Sequence, residues 1–302
     1  MYHIIGDIHG YANELEYLLK KMGYLKSSGV YQHPEAKAIF VGDFIDRGPK
    51  IREVLDIVRP MIEEGHAYSV MGNHEYNALC YQTYCDELGD FLRPHTEKNT
   101  KQFSETIKQL GSDLEDYLKW FWTLPVYLDF DKFRVVHACW DINCISIINK
   151  YLEDALLKPS ILKSAHIDNT KLNEAFEIVL KGKELQLPAG DFFLDKDGHK
   201  RSELRIQWFR EPTKNESYSS FSFPPDNSLS AEIIDKELFQ GLESYTNKKP
   251  VFFGHYWLNN EMPKLFSKNA VCVDFSVAKD GFLSAYKFDG SDITEKNFII
   301  SR

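Results

Sequence analysis

The sequence predicts an α/β fold organised around a parallel sheet. Three short apolar runs each end in glycine, helical segments separate the runs, and the loops that follow carry Asp, His and Asn. The runs are Tyr2–Ile5, Ile39–Val41 and Tyr68–Met71. Their length, their β-branched and aromatic content and the closing glycine mark buried strands that open into loops.

Taken in order, the first strand leads into Asn13–Met22, where Leu15, Leu18, Leu19 and Met22 recur at helical spacing. The second leads into Ile51, Val54, Leu55, Val58 and Met61–Ile62, ahead of Gly65. A β-α-β-α-β succession implies parallel strands joined by right-handed crossovers. A helical stretch follows from about Asn77 to Trp122, interrupted near Gly89–Pro94, with Phe103, Tyr117, Trp120, Phe121 and Trp122 assigned to packing. The apolar FRVV segment (Phe133–Val136) reads as a strand ending at His137. Ile147–Leu157 and Leu172–Leu180 read as helices. Gly182–Pro225 is rich in Gly, Pro, Ser and aromatics, the composition of an ordered binding loop or lid. Its Trp208, Phe209, Tyr218, Phe221 and Phe223 either line a pocket or form a small core of their own. Strands near Val251–Phe253, Val271–Asp274, Phe282–Phe288 and Asn297–Ile300 close the chain. The expected organisation is one domain over residues 1–302 with an inserted cap or lid-like region at about 141–249.

At 302 residues, with 43% hydrophobic and 14% aromatic content, a sizeable core is available to such a domain. A net charge of -9 argues against a general nucleic-acid scaffold, which needs a basic footprint. No apolar run approaches the roughly 18 residues of a membrane span. The chain enters its first strand at once, so no signal peptide is expected. Five cysteines, an odd number, fit a reducing compartment, and the cytoplasm is the expected location. Nothing in the sequence reports an oligomeric state.

The chemistry lies in GDIHG (Gly6–Gly10), GDFIDRG (Gly42–Gly48) and GNHE (Gly72–Glu75). Each places oxygen or imidazole ligands just after a strand, at the carboxyl edge of the sheet. Mixed oxygen and nitrogen donors suit Mn, Fe or Zn. A carboxylate has two oxygens, so Asp43 is able to bridge two ions. Paired ions roughly 3.5–4 Å apart clamp the attacking and departing oxygens of a displacement at phosphorus. The adjacent Arg47 offers a fork of donors matched to phosphate. A single D-x-H after a strand is ordinarily a turn whose Asp caps a helix, and Asn73 is a natural N-cap. Three such loops in order, followed by two strand-end histidines, reverse that reading. His3, His33, His66, His95, His166 and His199 lack partners at useful spacing and are read as surface or structural.

The order GDIHG, GDFIDRG, GNHE, VVHA (Val135–Ala138) and FGH (Phe253–His255) resembles the calcineurin-like metallophosphoesterases. The DRG and the closing Glu75 favour their phosphoprotein phosphatase branch, which includes bacterial relatives and diadenosine tetraphosphate hydrolases. Ala270–Gly290 resembles the closing strand-loop-strand of that family. The resemblance implies a four-layer α/β/β/α sandwich and two divalent ions, Mn being favoured in vitro with Fe or Zn as alternatives. It implies that Asp7, His9 and Asp43 bind the first ion, and that Asp43, Asn73, His137 and His255 bind the second. His74, oriented by Asp46, takes the place of the general acid, Arg47 that of the phosphate-binding arginine, and a metal-activated water that of the nucleophile. Arg205 and Arg210 in RIQWFREP are candidates for a second phosphate contact. Cys139–Trp140 and DFSV (Asp274–Val277) depart from the family pattern without touching a proposed ligand. The implied activity is hydrolysis of a phosphate ester or phosphoanhydride, with a phosphoprotein or a dinucleoside polyphosphate as substrate. The alternative is a catalytically silent binding or regulatory protein that has kept the fold.

Overall fold

A computed structural model describes residues 1–302 except 168–169, 189, 195–197, 199, 227–228 and 240–243. The excepted positions all fall in the expected insertion, so the corresponding parts of its Gly182–Pro225 segment lie outside the described residues. In chain order β1 (Tyr2–Ile5), α1 (Ala12–Lys21), β2 (Lys37–Phe40), α2 (Ile51–Glu63), β3 (Ala67–Ser69) and α3 (Asn73–Gln82) form the alternating first third. Two further helices, α4 (Glu97–Leu110) and α5 (Leu114–Phe121), lead to β4 (Tyr127–Asp129) and β5 (Arg134–Val136). Helices α6 (Ile142–Ile148), α7 (Pro159–Ile167) and α8 (Thr170–Lys181) open the insertion. The chain returns as β6 (Val251–Phe253), β7 (Ala270–Cys272), β8 (Asp274–Phe275), β9 (Phe282–Phe288) and β10 (Phe298–Ile300).

Two sheets result. The first runs β8-β9-β1-β2-β3, with β10 also on β9, and the second runs β7-β6-β5-β4. Strands β1, β2 and β3 are mutually parallel, with Ile4 opposite Ile39 and Ile39 opposite Tyr68. So are β5, β6 and β7, with Phe252 opposite both Val135 and Val271. Side chains alternate faces along a strand, and that alternation sorts the core. Ile4, Ile39, Val135, Phe252, Val271 and Tyr286 meet in one buried cluster between the sheets. Their neighbours Ile5, Phe40, Val136, Phe253 and Cys272 point outward into the helices. Leu15 and Leu18 of α1 and Val54 and Val58 of α2 are among the buried residues of that outer cluster, as are Leu79 of α3 and Phe176 and Val179 of α8. The architecture is the expected α/β/β/α sandwich.

Several local features differ from the sequence expectation, among them the following. The helix expected over Ile147–Leu157 lies instead at Ile142–Ile148, because Asp141 starts it early by accepting from Cys144 N at 2.8 Å. Beyond Ile148 the chain is drawn into tertiary pairing: Val126 N donates to Ala155 O, and Asp154 and Ala155 are left-handed. Helix α7, beginning at Pro159, was not foreseen, although proline suits a first helical position. A hairpin pairs Leu25–Ser27 with Val30–Gln32, and Ser28 and Gly29 turn it with positive φ.

The aromatic segment of the insertion builds core rather than an open pocket. Trp208, Phe209, Tyr218, Phe221 and Phe223 are all buried. Trp208, Phe209 and Phe223 pack on Phe253 of β6. Tyr218 and Phe221 join Leu185, Leu187, Leu204, Ile206 and Ile234 in a separate satellite cluster. Among the described residues, no helix is long and apolar enough to cross a membrane.

Candidate active site

Asp7, Asp43, Asn73, His137 and His255 each follow the carboxyl end of a parallel strand, β1, β2, β3, β5 and β6 in turn. The edges of both sheets therefore open on one place. The loops can meet there only because their glycines carry no side chain. A Cβ on Gly42 would lie 2.3 Å from Gly72 N, and one on Gly254 would lie 2.0 Å from Asp7 Oδ1. His9, Asp43, Asp46, Arg47 and His255 all take positive φ, between 46° and 73°. Non-glycine residues hold that conformation only where the surroundings over-determine it, and such strain concentrates at functional sites.

Glu75 supplies much of that determination. It sits at the third position of α3, fully buried, and its carboxylate accepts from the backbone N–H groups of Asp43, Phe44 and Gly72 at 2.8, 2.8 and 3.0 Å. Burial, followed by the charge of Asp43, pushes its carboxyl up to about 7. Asp43 is thereby fixed as the hub. Its Oδ1 accepts from His74 N at 2.9 Å at the start of α3. Its Oδ2 faces His9 Nε2 and His137 Nε2, each at 3.5 Å, and His74 Nε2 at 3.9 Å. Burial opposes ionisation of Asp43, but the His137 and His74 imidazoles beside it hold the carboxyl well below its usual range.

The imidazoles are aimed by their second nitrogens. His9 Nδ1 lies 2.9 Å from Ile45 O, and His137 Nδ1 lies 2.7 Å from Val41 O. A carbonyl only accepts, so Nδ1 carries a proton and each Nε2 is turned toward Asp43, the orientation usual for metal-ligating histidine. Burial, then the neighbouring His74, pulls His9 down to about 3. Burial, then Arg205, holds His255 well below its ordinary value. Both rings stay neutral at physiological pH. His9 Nε2 and His255 Nε2 are buried without a hydrogen-bond partner. Asn73 Oδ1 faces His137 Nε2 at 3.1 Å and His255 Nδ1 at 2.7 Å. Asp7 accepts from His255 N, and burial with the charges of Asp274 and Asp43 drives its carboxyl well up.

Orphaned imidazole nitrogens among crowded, buried carboxylates are unstable unless a cation is supplied. Two sets of donors have atoms within 4.8 Å of one another, His9–Asp43–His74 and Asp43–His137–His255, and Asp43 belongs to both. The N/O donor set fits the borderline divalent metals.

The remaining predicted residues fall in three places. Asp46 and His74 are together: His74 Nδ1 lies 2.5 Å from Asp46 Oδ2, and both side chains are buried. Arg47 is exposed at the lip, its guanidinium 4.2 Å from the ring centroid of Trp257. Arg205, half-buried, lies 3.8 Å from Glu184 Oε1, and its charge is felt at His255. Arg210 is not brought to the group. It forks onto Glu216 at 2.7 and 3.1 Å and lies over Phe221.

Sequence reasoning passed over Glu75's role, Trp257, Asp274 and Lys279. Asp274, buried, accepts from Trp257 N at 2.6 Å and from Ser276 N at 2.9 Å, tying two loops of the lip together. Trp257 lies 5.5 Å from the His9 ring and carries Lys279 as well as Arg47 against its ring. The aromatic pair Tyr256–Trp257 directly behind FGH was the available signal in the sequence.

The profile of the family described as calcineurin-like phosphoesterase matches residues 2–256. The asymmetrical bis(5'-nucleosyl)-tetraphosphatase PrpE of Halalkalibacterium halodurans is 30% identical over 191 residues, 60% of this chain and 74% of that protein. The protein of the same description from Oceanobacillus iheyensis is 34% identical over 139 residues, 45% of this chain and 54% of that one. Among solved structures, a protein serine/threonine phosphatase from Saccharomyces cerevisiae with similarity to human phosphatase PP5 superposes with a TM-score of 0.51 at 14% identity. The match covers 99% of this chain and 78% of that one, a likeness of fold.

Proposed function

We infer, from the premise that the chain belongs to the calcineurin-like phosphoesterase family, which residues carry its hydrolysis and on what substrate. It is a metal-dependent hydrolase of phosphate esters or anhydrides. In the proposed assignment Asp7, His9 and Asp43 hold one divalent ion, and Asp43, Asn73, His137 and His255 hold the other. Mn is the favoured ion in vitro, with Fe or Zn as alternatives. When bound, such ions lower the pKa of water and neutralise the phosphoryl oxygens. The observation that supports the two-ion assignment is Asp43, which belongs to both donor sets and whose Oδ2 faces His9 Nε2 and His137 Nε2.

The chain's own residues do the rest. Arg47, held against Trp257, offers a planar fork to the non-bridging oxygens of the reacting phosphoryl group. His74 is held by Asp46 through Nδ1, which leaves Nε2 facing the shared carboxylate. From there it gives a proton to the departing oxygen, worth on the order of 10²–10⁴ in rate. Arg205 remains a proposed further contact for the anion. In this reading residues 1–302 form one domain with an inserted cap or lid-like region at about 141–249, and the protein works in the cytoplasm.

For the substrate, a dinucleoside polyphosphate is the reading best supported. The relatives named above support it, and so does Lys279, which places a second cation on the Trp257 platform beside Arg47. A phosphoprotein is the second reading. A substrate panel with Mn decides between them, pairing diadenosine tetraphosphate with a phosphoserine peptide and p-nitrophenyl phosphate. The expected outcome is the highest kcat/KM on the dinucleotide. A phosphopeptide turned over more efficiently would overturn the choice.

A further inference from the structure

Helix α4 turns a polar stripe toward the loop that carries Asp46 and Arg47. Residues spaced by four and then three lie on one helix face, and Gln102, Thr106 and Gln109 are so spaced. Thr106 is fully buried. Its hydroxyl donates to Asp46 Oδ1 at 2.5 Å and accepts from Asp46 N at 3.0 Å. One side chain thus grips both the carboxylate and the backbone of a residue at φ 66°. One helical turn on, Gln109 donates to Gly48 O at 3.0 Å and accepts from Ile51 N at 2.7 Å, closing the other side of Arg47. The grip is reciprocal: Arg52, in the first turn of α2, donates to Gln109 O and Leu110 O at the end of α4. Gln102 is the weakest of the three. Its amide nitrogen lies 3.4 Å from His74 Nδ1, whose proton is directed to Asp46 at 2.5 Å, so the shorter bond wins.

These contacts do more than pack a helix. Asp46 and Arg47 are consecutive left-handed residues, φ 66° and 68°, and neither is glycine. Such a turn relaxes unless its neighbours hold it. With Oδ1 occupied by Thr106, Asp46 has Oδ2 left for His74. The hydroxyl therefore decides which carboxylate oxygen meets the imidazole and from what direction. We propose that Thr106 and Gln109 are positioning residues for the reaction: Thr106 sets the aim of the Asp46–His74 pair, and Gln109 sets the turn that presents Arg47 to phosphate.

The proposal rests on the phosphoesterase reading for its kinetic test and on the fold alone for its spectroscopic one. Thr106→Val keeps the side-chain shape and removes both hydrogen bonds. It is expected to slow phenyl phosphate on the order of ten- to hundred-fold more than the activated p-nitrophenyl ester, because a misplaced acid hurts most where the leaving group needs a proton. Thr106→Ser is expected to restore the wild-type ratio. Where the valine chain fails to fold, Thr106→Ala must show the same shift. Gln109→Leu is expected to weaken competitive inhibition by inorganic phosphate several-fold, with the leaving-group ratio unmoved. Independently of turnover, the His74 Nδ1–H proton resonance of the protein should shift in Thr106→Val and return in Thr106→Ser. Equal slowing of both esters, or an unshifted resonance in the valine chain, would overturn the role of Thr106. Unchanged phosphate inhibition would overturn that of Gln109. A wild type without metal-dependent turnover sinks the phosphoesterase reading instead, and the resonance still decides the positioning claim.

Discussion

The strand-end site and the insertion behind it are held together by opposite means. At the site, the backbone is strained and polar atoms do the holding: Glu75 grips three N–H groups, Thr106 grips Asp46, and glycine lets whole loops touch. In the insertion, Leu185, Leu204, Ile206, Tyr218 and Phe221 cluster by apolar burial, with Arg210–Glu216 as a local brace. Apolar packing is tolerant of change while polar networks are directional. Chemistry here depends on a small, exactingly tethered edge, and Trp208, Phe209 and Phe223 of the aromatic segment back that edge by packing on Phe253 of β6.

The largest test of this contrast removes the hub. Asp43→Asn is expected to abolish turnover and metal loading together, read by elemental analysis of the purified protein and by p-nitrophenyl phosphate hydrolysis. Full turnover in that variant would remove Asp43 from the site. Next, His74→Asn should keep its metal while losing on the order of 10²–10⁴ in rate on esters with poor leaving groups. Uniform slowing across a leaving-group series would deny His74 the acid's role.

In the insertion, Phe221→Ala should behave in the opposite sense. It should cost about 3–5 kcal/mol of stability in urea unfolding, as a buried aromatic does, with kcat within a few-fold of wild type. A loss of turnover without a loss of stability would move Phe221 into the site and break the contrast.

The smallest effect concerns His3 of β1, buried against Tyr24 and outside the candidate site. Burial, with the charges of His33 and Lys287, lowers its pKa to about 4. The folded form therefore binds this proton less readily than the unfolded chain does. Stability is intact above the ordinary histidine value of 6.5 and is lost as pH falls from there toward about 4. Urea titrations at pH 7.5 and pH 5 should show His3→Phe losing about 1–2 kcal/mol less than wild type over that interval. Equal losses would place the acid sensitivity elsewhere.

The edge was legible in the sequence because its signals are local. A strand's apolar run, the glycine that ends it and the ligand one or two positions later are written side by side, as in Gly6–Asp7 or Gly42–Asp43. The α/β order was legible for the same reason. What escaped was set by tertiary contacts. Thr106 meets Asp46 across 60 positions, and Asp274 meets Trp257 across 17 through a loop with no periodicity. Ile147–Leu157 carries a helical pattern, yet pairing of Ala155 with Val126 overrides it. Arg210 has the chemistry of a phosphate ligand, and only the fold reveals that Glu216 already occupies its fork.

One bond has a consequence for how the chain acquires its activity. His255 N donates to Asp7 across 248 positions, and β1 lies between β2 and β9, which is itself made of Phe282–Phe288. A ribosome that has delivered the first half of the chain has made Asp7, His9, Asp43 and Asn73, yet β1 still has an open edge and the proposed ligand set lacks His255. Long-range closure of this kind is slow compared with helix formation. The proposed metal site is therefore completed only once nearly the whole chain has been made and β9 has joined β1.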